Sequence, residues 1–496
     1  PGGKPAHLPN LRPQLATRLR IMRPEILFGY SYSPTAILLA IAIWKAILFI
    51  PFAGLVFHIG RWLYGLHAGW LALAMLLIDP TFAGHTGLAT LDVLAVEAIV
   101  LACYVGWRYF ESSSRWRLVA AAAATALAVS IKHTALAVPP VLLCYGVIFF
   151  IRSKMQGQQT GTKYKIAWRL QFNHLCLAIL VFLFCLWAST LFNFSPPRNW
   201  MWPMSYPAGG GFHFMRDFLD PLLDYRWPGG TYVGSFLGGL AHTERGHWSF
   251  LLGKNRPTGG WWYYFSVVAT YKIPLGFFLI FILAVISLIK YRPHFRELIA
   301  VIPIGVLCAM LVDAKIDIGF RHFLPALIFI YILAARCVSA FSVQRSAFIA
   351  IVAWIGIAGA LGHTLGYYPD YIAYINYPRH EPWRDIADSN IDWGQSLKEV
   401  RTWIDDHPSR RPIYIACFLN DRPVPYYLDH RAAIWHSGRG YPPSGLLIIS
   451  PNCVDSIMDW YDSFRALRSQ HPIAIIGHNM LVYDMDKMHQ NPATRK

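Results

Sequence analysis

A charged side chain at the end of a membrane-length apolar run needs a physical reason, and this sequence places several there. Asp92 stands where the semi-polar stretch 81–92 gives way to an apolar run. An ionised carboxylate at such a mouth can serve as a base, a metal ligand or a clamp for an acceptor hydroxyl. It can equally cap the helix expected over 93–107. Asp79 before Pro80 has the character of a turn former, and Glu97 lies more than a turn inside the same run as Asp92. Cations stand at further run ends: Lys132 beside His133, Lys272, and Arg321 beside His322. Together such groups could grip a phosphate, Arg through its two-pronged fork; singly, each could snorkel to headgroups. The run 388–395 (DSNIDWGQ) is dense in hydrogen-bonding groups, including Asp388, Asn390 and Asp392. It also reads as a capped start for a helix over 397–406. No P-loop, dinucleotide, HExxH or GxSxG pattern occurs, and no cysteine pair has metal-ligand spacing.

The elements that must position these groups are membrane spans. The 496 residues are 55% hydrophobic and only 14% charged, a balance that soluble domains rarely show. About ten apolar runs lie between 35 and 363, many long enough to cross ~30 Å of hydrocarbon. Their connecting loops alternate. One set is basic (Arg61, Arg108, Arg115, Arg152, Arg296 and Arg336 among others), whereas the other short loops hold few cations and most of the carboxylates. Cytoplasmic loops carry the Lys/Arg excess, so Asp92, Lys132 and Arg321 are expected on the outer side. The +17 formal charge is then largely a topology signal, and nucleic-acid binding is excluded as the main reading.

Three regions follow. Residues 1–34 are basic and Pro-rich, an expected extracytoplasmic segment and remnant of a first outer loop. Residues 35–363 form the transmembrane part, with a long outer loop at 193–260 rich in Gly, Pro, Trp and His. Residues 364–496 alternate helix-like (396–406) with strand-like (412–418, 445–449, 472–484) segments, the pattern of a small α/β domain outside the membrane. The fold class expected is therefore a polytopic α-helical membrane protein with a small extracytoplasmic α/β C-terminal domain.

Several stretches together resemble the bacterial family 39 glycosyltransferases, relatives of the protein O-mannosyltransferases, in the GT-C class. They are Leu63-Tyr64-Gly65, Asp79-Pro80 through Asp92, Lys132 in SIKHTA, His242 in LAH, and His247-Trp248 through Gly253. Gly260–Phe265 before Lys272, Gly319–Pro325 and Asp388–Gln395 complete the match, which runs from about 60 to 395. The resemblance implies sugar transfer from a polyprenyl-phosphate carrier to an acceptor protein, glycan or lipid, in the bacterial plasma membrane. It implies Asp92 as the catalytic carboxylate, and Lys132, Lys272, Arg321 and His322 as candidates for the donor phosphate. His242, Trp261, Asp388, Asn390 and Asp392 become candidates for acceptor or sugar contacts. No organic cofactor is implied; a divalent metal beside Asp92 is an option rather than a requirement. One departure stands out: the family's first-loop acid has no counterpart, because Glu25 is the only acidic residue before Asp79 and its setting does not match. A chain that starts late, having lost the first span, is the expectation this raises. The competing functions are a lipid-sugar flippase, which calls for inverted repeats and broken midplane helices, and a non-catalytic lipid-binding scaffold.

Overall fold

The computed structural model describes residues 34–160, 168–201, 220–339, 343–376, 381–417, 423–436, 438–457 and 462–490. The expected N-terminal segment 1–34 lies outside them apart from its last residue. All ten apolar runs are helical. They form α1 (Pro34–Tyr64), α2 (Leu66–Ile78), α4 (Asp92–Ser112), α5 (Arg115–Ile131), α6 (Val138–Thr160), α7 (Trp168–Ser189), α10 (Leu275–Lys290), α11 (Leu298–Val312), α12 (Leu324–Ala334) and α13 (Val343–Leu365). Three helices outside those runs take the intervening labels: α3 (Pro80–Gly87), α8 (Gly230–Arg245) and α9 (Tyr264–Lys272). Among the described residues, five helices are long and apolar enough to span singly, and up to seven spans arise if each bent pair counts as one. The bent pairs are α2 with α3, at 57°, and α9 with α10, at 116°. Pro80 and Pro274 sit at these breaks, where a missing N–H and a fixed φ suit a new helix start.

Close approach of helices rests on small residues, as expected where lipid removes most of the hydrophobic drive for association. A Cβ on Gly276 of α10 would lie 1.9 Å from the Gly356 carbonyl oxygen of α13, so no larger residue fits that crossing. The basic loops gather at one end of the bundle. Arg336 makes a buried ion pair with Glu297 and also donates to Ser287 Oγ (3.0 Å) and the Tyr291 carbonyl (2.7 Å). Arg108 (3.1 Å) and Arg296 (3.8 Å) share Glu111, and both guanidinium groups lie over Trp62. Thus the loops that the sequence grouped by charge are grouped in space, with Asp92, Lys132 and Arg321 at the other end.

The C-terminal part carries a five-stranded mixed sheet in the order β6-β5-β7-β9-β8. Here β5 is Ile413–Ala416, β6 Ala433–Ile434, β7 Leu446–Ile449, β8 Ala474–Ile476 and β9 Met480–Asp484; β1 (Phe194–Ser195), β2 (Trp227–Pro228), β3 (Ser249–Leu251) and β4 (Lys254–Arg256) are short pieces of the long loop between α7 and α9. β5 runs parallel to β6 and β7, whereas β9 is antiparallel to β7 and β8. The expected strand over 472–484 is in fact a hairpin, because Gly477 (φ 58°) and His478 (φ 61°) turn the chain. Helix α14 (Leu397–Asp406) buries Leu397, Val400 and Ile404 against one face, the i, i+3, i+7 stripe of an amphipathic helix. The other face is covered separately around Leu447, Ile449 and Tyr483, so the sheet has apolar cores on both sides.

The Arg336–Glu297 pair gives a direct stability test. Arg336→Met leaves a buried carboxylate without its partner, an effect of about 3–5 kcal/mol. Thermal unfolding in mild detergent is expected to show this loss for Arg336→Met and largely recover it in Arg336→Met/Glu297→Met. A double variant as unstable as the single one would contradict the assignment.

Candidate active site

Three distant segments deliver charge to one point. Asp92 opens α4, Lys132 sits in the extended residue between α5 and the short 3-10 helix His133–Ala137, and Arg321 lies in the 3-10 turn Phe320–His322 before α12. The Asp92 carboxylate accepts from Lys132 Nζ on one oxygen, and its other oxygen lies 3.9 Å from Arg321 Nη1. The carboxylate is nearly out of water, with only 4% of its side chain exposed, and Arg321 is 10% exposed. At the start of α4 the backbone N–H groups add to the positive field on Asp92. Arg321 is also held in orientation, its guanidinium 4.2 Å above the Trp393 ring.

Around this triad lie buried polar atoms that the protein leaves unpaired: Arg321 Nε, His322 Nε2, His85 Nδ1 and Thr90 Oγ1. His322 and His85 both lie within electrostatic reach of Asp92, Lys132 and Arg321. A buried donor or acceptor without a partner costs about 1–3 kcal/mol, and a concentration of them is the signature of a place prepared for a ligand. Two cations against one carboxylate leave the cluster with a net positive charge, which suits an anion. Among the described residues no group of three or more His, Cys, Asp or Glu could hold a metal ion; Asp92 faces cations, not further carboxylates.

Lys272 does not join the triad. Its ammonium, 1% exposed, donates 2.8 Å bonds to the carbonyls of Ile372, Tyr374 and Asn390, which occupies all three N–H groups. The expected phosphate contact is therefore replaced by a latch, since a buried ammonium must satisfy every donor. Asn390 extends that latch toward the triad: its Oδ1 accepts from the Phe320 backbone N–H (2.8 Å), and its Nδ2 donates to Tyr264 Oη and the Ala387 carbonyl. Asp392 faces the other way, accepting from Ser450, the Gly394 N–H and Asn479 Nδ2 inside the sheet domain. Asn390 and Asp392, at 1% and 0% exposure, thus present no surface to a sugar. They fasten the 388–395 loop to the bundle and to the sheet respectively. Asp388 accepts from the Ser389 N–H, and Ser389 packs so tightly on Gly319 (φ 141°) that a Cβ there would sit 2.0 Å from Ser389 Oγ.

The remaining expected contacts are nearby but separate. Trp261 is buried; its backbone N–H donates to Asp317 Oδ2 (2.8 Å), and Arg256 lies over its ring at 4.9 Å. His242 is exposed near the end of α8, its ring 5.8 Å from that of His247. Asp79 proves to be more than a turn former: buried, it caps the Phe82 N–H and accepts from Tyr331 Oη at 2.6 Å. Sequence reasoning missed Trp393, His85 and Lys45. Trp393 was visible as the one aromatic in a polar run. Lys45, set in the α1 run, donates to the His85 (2.8 Å) and Leu88 carbonyls at the end of α3; an isolated lysine in an apolar helix was its only trace.

Residues 7–197, which bring Asp92 and Lys132 but not Arg321, match the sequence model of a family described as dolichyl-phosphate-mannose-protein mannosyltransferase. With the many-spanning helical fold, the match supports a membrane glycosyltransferase working with a polyprenyl-phosphate-linked sugar. Two solved structures are similar at low levels, both of ArnT from Cupriavidus metallidurans. The form bound to undecaprenyl phosphate shares 12% identity over 89% of this chain and 83% of that one, with a TM-score of 0.44. The apo form shares 13% identity over 90% and 82%, with a TM-score of 0.37. No curated protein sequence matches the chain.

Burial raises the Asp388 carboxyl from the ordinary 3.8 to about 6, against the opposing pull of the Ser389 N–H and Arg321. The folded state then holds this proton where the unfolded chain has lost it. Stability from this group is complete below about pH 4 and is lost as pH rises to about 6. Thermal unfolding across that window is expected to show a shallower decline for Asp388→Asn than for the wild type; identical slopes would contradict the shift.

Proposed function

We propose that the Asp92–Lys132–Arg321 cluster is the transfer site at which a sugar leaves a polyprenyl phosphate for an acceptor hydroxyl on the extracytoplasmic face. The observation that supports this most is the pairing itself: one buried carboxylate is shared by two cations, which leaves a net positive charge beside unpaired polar atoms. In the resting protein Asp92 is tied up and cannot act as a base. A donor phosphate arriving at Lys132 and Arg321 competes for both cations and frees the carboxylate. The acceptor oxygen then attacks C1 of the sugar, and its proton passes to Asp92. The C1–oxygen bond to phosphate breaks, and the polyprenyl phosphate departs with its growing charge held by the two cations. His322 Nε2 and Arg321 Nε are positioned to contribute further hydrogen bonds to that phosphate. Trp393 fixes the Arg321 plane, so that Arg321→Lys loses both the stacking and the fork. The lipid tail lies between helices, which explains why a sugar-transferring site is built at helix mouths.

Residues 364–496 are proposed to lie on the same outer face, since the 388–395 loop reaches the site directly. The basic loops at the opposite end support this orientation. The acceptor is a hydroxyl compound that reaches Asp92 past Trp393.

Transfer from a radiolabelled polyprenyl-phosphate sugar tests the assignment. Asp92→Asn is expected to lower kcat by about 10²–10⁴-fold, the usual worth of a positioned base. Arg321→Lys is expected to raise the donor KM while leaving the chain folded. Wild-type turnover in Asp92→Asn would remove this carboxylate from the mechanism.

A further inference from the structure

A groove of about 1440 Å³ opens between α4, α5, α6 and α7 at the basic end of the bundle. It begins at Gly106 on α4, roughly 20 Å along the helix axis from Asp92, and so plays no part in the site described above. Its walls are apolar, from Leu118, Ala122, Leu142, Gly146, Ala178 and Phe182. Thr125 on the wall turns its hydroxyl inward to the Ala121 carbonyl at 2.7 Å, which leaves the depth of the groove without free polar atoms from α5. The mouth differs. Arg115 and Arg152 line it, and the Arg152 guanidinium is held 3.9 Å over the Phe295 ring. Glu111, the carboxylate on this rim, is already matched by Arg108 and Arg296, so the two lining arginines give the mouth a positive charge. Trp116, 83% exposed next to Arg115, marks the level of the headgroups.

We propose that this groove holds one anionic diacyl phospholipid as a resident ligand, its chains along the apolar wall and its phosphate on Arg115 and Arg152. The mouth's charge and its level fit a phosphodiester at the membrane surface, and the apolar walls run inward on the scale of one leaflet. A polyprenyl-phosphate sugar is not the occupant, because its phosphate must reach the cations at the far end of α4. Bound there, the lipid fills the gap between α5, α6 and α7 and stabilises their packing by mass action.

The test uses the full chain in nanodiscs of phosphatidylcholine with a minor share of phosphatidylglycerol, followed by native mass spectrometry of retained lipid. Wild type is expected to keep one phosphatidylglycerol in preference to phosphatidylcholine. Arg115→Gln/Arg152→Gln is expected to lower that preference about thirty-fold, from ~1 kcal/mol for each arginine near an anionic surface. Ala122→Trp, which fills the wall, should reduce retention of both lipids. Equal retention of the two lipids by wild type overturns the proposal, since this is the behaviour of annular lipid, and so does displacement of phosphatidylglycerol by added polyprenyl phosphate.

Discussion

A carboxylate held between two cations, largely away from water, is the constraint around which this protein is arranged. Bringing Asp92, Lys132 and Arg321 out of solvent is costly for each alone and tolerable only when they meet. The helix starts and loops that carry them must therefore converge. The convergence is enforced from behind. Lys45 ties α1 to the end of α3 just ahead of Asp92, and Lys272 ties α9 to the backbone of 372–374 and of Asn390. Through Asn390 that second latch reaches Phe320, the residue before Arg321. Two lysines that look like surplus membrane charge are thus the fasteners of the site.

The 388–395 loop joins the two architectures. Asn390 is bonded into the bundle, Asp392 into the sheet domain, and Trp393 lies on Arg321. A domain able to fold in water is thereby placed against a site made by membrane helices, and its loop supplies part of the site wall. Such an arrangement suits chemistry between a lipid-borne donor and an acceptor that arrives from the aqueous side.

Much of this was legible in the sequence because the bilayer simplifies the code. Hydropathy located ten apolar runs that are all helical, although among the described residues only five to seven spans arise from them and not ten. Loop charge separated the two ends of the bundle, with Asp92, Lys132 and Arg321 sharing one of them. The fates of Lys272, Asn390 and Asp392 were not legible. Their types announce hydrogen-bonding capacity, but whether that capacity faces a ligand or the protein's own groups depends on contacts a hundred or more residues away for Lys272, 70 for Asn390 with Phe320 and 87 for Asp392 with Asn479. The α/β alternation of the tail was readable, whereas the hairpin inside 472–484 was hidden by one glycine within a run that otherwise looks continuous. Trp393 was visible as the one aromatic of its run, but a polar run draws attention to its polar members.

The central claim is that a lipid phosphate and Asp92 compete for the same two cations, and equilibrium binding of polyprenyl phosphate to the purified chain tests it most directly. The account predicts weaker binding in Lys132→Met and Arg321→Met, by tenfold or more on the roughly 1.4 kcal/mol scale of one charge-assisted bond, and tighter binding in Asp92→Asn, where the internal competitor is gone. Weaker or unchanged binding in Asp92→Asn would contradict it.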